Sequence, residues 1–220
     1  MNLDSAPSVA SMLLLGLVVG LRHAFEADHV AAVSAIATRR KSWIGSSLVG
    51  GLWGLGHALA LFAAGAAVLL LQLRIPAQAE LTLELGVGLM LVGLGANAVF
   101  KLVHGDHDHL PDGHGHDHGA GKGPLLVGIV HGLAGSGALM LLVLATIPSP
   151  LLGLAYIAVF GLGALGGMMA LSALIALPAL LAARRFERAQ AGLRLVAGAL
   201  SITVGLFLVY EIGFVEGLLV

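Results

Sequence analysis

The chain has 220 residues, 58% of them hydrophobic and 10% charged, with a formal net charge of −1. Apolar runs far longer than a soluble core needs define an all-α polytopic membrane protein, and the near-neutral charge excludes a general attraction for nucleic acid. Cysteine is absent, which excludes disulfides, thiolate metal sites and thiol-relay chemistry, so any metal meets nitrogen and oxygen donors.

Ser11–Leu21 is a short apolar run with no Lys or Arg before it and no clear small-residue cleavage site after it. It is therefore expected to remain in the mature protein. Apolar stretches at 9–38, 43–72, 80–103, 123–147, 151–182 and 192–214 predict about six transmembrane helices, each able to cross a hydrocarbon core of about 30 Å. The first would measure about 45 Å as one helix, so it is expected to be tilted, broken or protruding. The expected organisation is a first membrane half over 1–103, a His-rich loop over 104–122 and a second membrane half over 123–220.

Basic residues set the orientation. Arg39, Arg40 and Lys41 follow the first helix, Lys101 and Lys122 bracket the loop after the third, and Arg184, Arg185, Arg188 and Arg194 surround the loop after the fifth, against a single Arg74 on the other side. The positive-inside bias then places those three loops in the cytoplasm and both termini outside, in a multi-pass cell (inner) membrane protein.

Ionisable groups are costly inside a membrane, about 2.5–3.5 kcal/mol each at a helix centre on the insertion scale, so a cluster of them signals function. His23, Asp28 and His29 form such a cluster in the first apolar stretch, and His57 and His131 lie in later ones. A lone intramembrane histidine is most often a hydrogen-bonded packing residue. Four of them, one beside an aspartate, suit a borderline divalent metal such as nickel, cobalt or zinc.

On a regular helix His23 would lie about 140° from Asp28 and about 240° from His29. Either the helix is unwound there or only part of the motif binds directly. No Gly or Pro separates the residues, whereas His131-Gly132-Leu133-Ala134-Gly135-Ser136-Gly137 is glycine-rich, so a break is expected in the fourth helix, where Ser136 and freed carbonyls supply oxygens. Arg22 and Glu26, spaced i, i+4, are expected to form a structural ion pair. Gly51-Leu52-Trp53-Gly54-Leu55-Gly56-His57 is not a phosphate loop, since no Lys-Ser/Thr follows and no strand precedes it. Gly50 and Gly54 instead make a face for close helix packing.

The two halves look alike. Gly20-Leu21-Arg22-His23 recurs as Gly128-Ile129-Val130-His131, Ala60-Leu61 pairs with Ala170-Leu171, and Leu85, Gly88, Gly95, Val99 and Phe100 fall opposite Leu195, Gly198, Gly205, Val209 and Tyr210. Three spans is an odd number, so a tandem copy enters from the other side, predicting two inverted three-helix repeats with a site between them.

The segment from Leu21 to Val33, containing His23-xxxx-Asp28-His29, resembles the HxxxxDH signature of the nickel/cobalt transporter superfamily, and Leu55-Gly56-His57 resembles its LGH motif. His131-Gly132-Leu133-Ala134-Gly135-Ser136, Phe160-Gly161-Leu162-Gly163 and Gly166-Gly167-Met168-Met169-Ala170-Leu171-Ser172 are similar to its short, urease-accessory UreH-type branch. The resemblance implies nickel or cobalt permeation with the HxxxxDH residues essential, and a link to nickel-enzyme maturation proteins. The chain departs from the larger eight-helix members in its helix count and in lacking their later acidic, Thr-rich motifs.

The loop from His104 to His118 holds six histidines, His104, His107, His109, His114, His116 and His118, and four aspartates among glycines and a proline. Such a segment captures divalent metal with adjustable geometry and does not fold alone. It is expected to gather or buffer metal at the cytoplasmic mouth. No Walker sequence is present, so transport is expected to be secondary, channel-like or dependent on a separate ATPase.

These features predict a protein that is not an enzyme, has no prosthetic group, carries Ni2+ or Co2+ as cargo and is embedded in the lipid bilayer. Two alternatives stand beside this: the histidines holding haem in an electron-transfer protein, which would give a Soret band, or His and Asp holding zinc in an intramembrane hydrolase, with Asp28 or Glu26 as base.

Overall fold

The computed structural model describes residues 8–37, 42–73, 76–104, 122–135, 147, 149–183 and 187–219, and among them it is helical without strands. The helices are α1 (Val9–His23), α2 (Ala27–Ala37), α3 (Trp43–Leu71), α4 (Ala77–Val103), α5 (Lys122–Ala134), α6 (Pro150–Ala183) and α7 (Glu187–Tyr210), the last running into a wider π turn at Glu211–Val215. Local chemistry sets several ends. Ser8 and Ser42 cap α1 and α3 by accepting the backbone N–H of Ser11 and Gly45, and Pro150 opens α6, where its missing N–H costs nothing.

Four helical stretches are long and apolar enough to cross a membrane: Trp43–Leu71, Ala77–Val103, Pro150–Pro178 and Ala191–Val215. The first apolar stretch is not one helix. α1 and α2 meet at a 55° bend and qualify only together, as a broken span. The bend lies at Ala24–Glu26, whose turn is closed by hydrogen bonds from Phe25 N–H to Arg22 O and from Glu26 N–H to His23 O. The chain is thus a multi-pass membrane protein, with four candidate spans among the described residues, or five counting the broken pair. α5, with 13 residues, is shorter than a span, and positions 136–146 of the expected fourth helix, Ser136 among them, lie outside the described residues.

Apolar side chains face outward along the long helices, as lipid-facing surfaces require: Leu14, Val18, Leu48, Leu59, Leu70, Leu162, Leu174 and Phe207 are all exposed. Lipid removes the hydrophobic drive for helices to associate, leaving close van der Waals fit and interhelical hydrogen bonds. Glycine supplies the fit. α1 packs on α6 and α5 on α3, while α3 also packs on α6 and α4 on α7. A methyl group at Gly20 would collide with the Phe160 carbonyl, as one at Gly128 would with the Trp53 carbonyl. Gly163 sits against Leu17 and Leu21, as Gly56 sits against Leu125 and Ile129. Gly54 approaches Leu165 and Gly161 approaches Ala58; Gly88 meets Gly205 and Gly95 meets Gly198. Between these last two contacts Ser201 Oγ donates to Leu91 O at 2.8 Å in a buried α4–α7 bond. The expected close face at Gly50 and Gly54 is present, Gly50 lying against Met168 and Ser172.

One cluster of buried side chains joins α2 to α3, α4, α5 and α6 through Ala31, Ala32, Val33, Trp53, Val87, Leu91, Ala134, Met168 and Leu171. A second, around Leu61, Tyr156, Ile157 and Phe160, fastens α3 to α6. Ala24, at the break in the first span, belongs to the first of these clusters.

Candidate metal centre

His23 is the last residue of α1, Asp28 and His29 occupy the first turn of α2, His57 lies in the middle of α3 and His131 in the last turn of α5. The break is what allows the first three to converge. A continuous helix would splay them, whereas the turn at Ala24–Glu26 brings the His23 and His29 rings to 4.6 Å between centroids. Close packing delivers the other two: Gly56 and Gly132 let α3 and α5 touch, with Gly132 directly on the His57 backbone. The His57 ring then lies 5.3 Å from His23 and 5.2 Å from His29, and His131 lies 4.2 Å from His29.

Asp28 organises this group. Its Oδ1 accepts the backbone N–H of His29 at 2.8 Å and faces His29 Nδ1 at 3.0 Å, while Oδ2 faces His131 Nε2 at 2.7 Å. An ionised carboxylate only accepts, so both rings donate N–H to it. That fixes the tautomers and leaves His29 Nε2 and His131 Nδ1 with free lone pairs. These two atoms, together with both nitrogens of His57, are buried without a hydrogen-bond partner. Buried polar atoms without a partner are costly, about 1–3 kcal/mol each. Four such imidazole nitrogens stand together in one small volume.

Glu26 plays the same part for His23, with Oε2 3.0 Å from Nδ1. The expected Arg22–Glu26 pair is not formed among the described residues: the chain turns between the two, so their i, i+4 register is lost and Glu26 points to His23. Trp53 closes the site from α3, stacked on His29 at 5.4 Å and 23° and edge-on to His131 at 5.6 Å.

One donor atom from each of His23, His29 and His57 lies within 4.8 Å of the others, and the same holds for Asp28, His29 and His131. Bonds of about 2.0–2.1 Å around one ion place opposite donors up to about 4.2 Å apart, a contraction within reach of side-chain torsions. A carboxylate hydrogen-bonded to the far nitrogen of a metal-binding imidazole is the usual supporting contact for such ligands. The donor set suits a borderline cation held by nitrogen.

A cavity of about 480 Å³ opens onto the cluster, lined by His23, Asp28, His29 and His131 and also by Glu26, Glu80 and Glu84. His57 is fully buried behind the other rings. Glu80 and Glu84 were missed at the level of sequence. The only sequence signal is two carboxylates one turn apart in Ala79-Glu80-Leu81-Thr82-Leu83-Glu84-Leu85, and near a helix start such residues are ordinary.

Of the loop histidines only His104 is described. It ends α4, with Nδ1 3.1 Å from Phe100 O and its ring on Phe100. His107, His109, His114, His116 and His118 lie outside the described residues.

The bent first span, the long apolar helices and the imidazole–carboxylate cluster at their junction together define a polytopic membrane protein of a type suited to handling a metal cation. No family model matches the chain, and no solved structure does. The urease accessory protein UreH of Bacillus sp. (strain TB-90) is 37% identical over 217 residues, spanning 94% of each chain. The protein belongs to the UreH family of urease accessory proteins.

Proposed function

We propose that the protein carries a divalent transition-metal ion, nickel or cobalt, across the cell membrane by secondary or channel-like transport, with His23, Asp28, His29, His57 and His131 as its intramembrane site. The observation that carries this reading is the set of partnerless imidazole nitrogens on His29, His57 and His131, buried beside a carboxylate that orients two of the rings. Nickel is favoured because the relative is named for urease, a nickel enzyme. The same name supports a link to nickel-enzyme maturation proteins. On this reading both termini lie outside the cytoplasm, and the His104–His118 loop buffers metal on the cytoplasmic side.

The architecture we propose is six spans in two inverted repeats, with α5 belonging to the fourth. Its support is the pairing of close contacts. Gly88 with Gly205 and Gly95 with Gly198 exchange under the same 110-residue separation that relates Leu91 to Ser201. Gly20–Phe160 and Gly128–Trp53 exchange under separations of 108 and 107, and Gly54–Leu165 and Gly161–Ala58 under 107. α3 runs antiparallel to α6 and α4 to α7, whereas α1 runs parallel to α6 and α5 to α3, so α1 and α5 are antiparallel too. An axis that exchanges antiparallel helices is perpendicular to them and lies in the membrane plane, as an inverted repeat requires. The contacts equate Ala60 with Gly167 rather than with Ala170, because Gly132 meets Ala60 as Gly167 meets Ala24.

The test is ion flux into sealed vesicles containing the purified protein, with nickel, cobalt, zinc and manganese compared. Nickel or cobalt should enter faster than manganese, whose preference is for oxygen donors. Flux equal to that of protein-free vesicles for all four would refute transport.

A further inference from the structure

The imidazole cluster accounts for part of the cavity lining and leaves the rest unexplained. Glu80 and Glu84 stand one turn apart on α4, half-buried, and both line that cavity. Like charges at this spacing repel. Glu80 lies in the first helical turn, where a negative charge suits the helix dipole; Glu84 lies beyond that turn and gains nothing from it. Among the described residues no lysine or arginine forms an ion pair with either of these groups, and the ion pairs found there involve histidine. Carboxylates gathered on the wall of one cavity make it a favourable place for a cation.

The second observation concerns the same cavity. His29 and His131 line it, each 2% exposed or less, and His29 Nε2 and His131 Nδ1 have no partner. One cavity is thus lined both by carboxylates and by imidazoles that each carry an unsatisfied nitrogen. Its position along the bundle is defined by α4: Glu80 and His104 are separated by about 36 Å of helix at 1.5 Å per residue. The carboxylates therefore lie at the end of the bundle remote from the His-rich loop.

We propose that Glu80 and Glu84 form an outer cation site, which holds a divalent transition-metal ion that keeps part of its water and exchanges it with the imidazole cluster. The proposal rests on the metal-transport reading above and adds a second stop on the path. Carboxylates bind such an ion weakly and without complete dehydration, whereas imidazoles bind it tightly. An oxygen site before a nitrogen site divides the removal of water into two steps. It also concentrates the cation in the cavity by field alone.

The test uses the full chain with Glu80→Gln and Glu84→Gln combined, alongside the Glu80→Asp/Glu84→Asp pair. Cobalt titration of the purified protein reads the nitrogen-rich cluster by its ligand-field spectrum, and cobalt flux into sealed vesicles reads passage. The Gln pair should keep the cluster spectrum, lose a weaker second class of bound cobalt and need about tenfold more cobalt for half-maximal flux. The Asp pair should recover most of that affinity. Flux with the wild-type concentration dependence in the Gln pair, with wild-type protein active, would overturn the outer site alone. A Gln pair that lost the cluster spectrum, with the Asp pair no better, would equally overturn it, since the carboxylates would then be supporting the fold. Wild-type protein that neither bound nor carried cobalt would remove the transport reading and this site with it.

Discussion

Asp28 Oδ2 lies 2.7 Å from His131 Nε2, a contact that joins the break in the first span to the end of α5 across 103 positions of sequence. It makes the carboxylate an organiser of imidazoles as well as a candidate donor, because its other oxygen holds His29.

Asp28→Asn tests that role. An amide has one acceptor oxygen and a donor NH2 group, so it cannot accept N–H bonds from two rings through two oxygens. One of His29 and His131 must then change tautomer or swing away. Nickel affinity of the purified protein should fall by about 10–100-fold, the usual cost of removing a carboxylate behind a metal-binding imidazole. Calorimetric titration measures it, and wild-type affinity would show that Asp28 orients nothing.

Helix contact should matter as much as the donors. A side chain at Gly128 would strike the Trp53 backbone, whereas Gly86 and Gly93 have open space around the equivalent atom. Gly128→Leu should destabilise the protein by about 1–3 kcal/mol through overpacking and weaken nickel binding by moving α5, while Gly93→Ala leaves both nearly unchanged. Thermal unfolding in detergent, run beside the nickel titration, separates the two variants. Equal behaviour would count against the α3–α5 contact.

Trp53 offers an optical report on occupancy, since its ring is stacked on His29. Nickel or cobalt at the cluster, with open d shells, should quench its fluorescence strongly; zinc, a closed-shell ion, should not. The other tryptophan, Trp43, is exposed at the start of α3, about 15 Å along the helix. The Trp43→Phe variant should therefore retain the quenching. Quenching lost with Trp43 would place the ion elsewhere.

The His-rich loop is expected to assist without being the path. Replacing positions 104–118 by a Gly/Ser linker of equal reach preserves the connection between α4 and α5, because such a chain behaves as a flexible coil. Flux should fall most at low metal concentration and persist at high concentration. Loss at every concentration, in protein that still folds, would put the loop in the permeation route.

Much of this arrangement was legible in the sequence because lipid makes ionisable residues conspicuous. His23, Asp28, His29, His57 and His131 stand out from apolar surroundings, and the structure gathers all five. The long runs of α3, α4, α6 and α7 were equally plain. The break at Ala24–Glu26 was not, since neither Gly nor Pro marks it. It is held by two turn hydrogen bonds and by side chains, Glu26 on His23 and Asp28 on His29, whose effect emerges only when α5 and α3 close over them. Spacing alone assigned Glu26 to Arg22, because i, i+4 has meaning only on an unbroken helix. Glu80 and Glu84 were passed over for another reason: they sit near a helix start, where acidic residues are ordinary, and only the cavity relates them to the histidines.

The central claim is that the ion passes through the cluster at the break, and His29 tests it most directly because it belongs to both donor groups. The measurement is nickel flux into sealed vesicles carrying wild-type protein or His29→Ala at equal amounts of inserted protein. The wild type should carry nickel, and the variant should give no flux above the protein-free background. Equal flux from the two would contradict it.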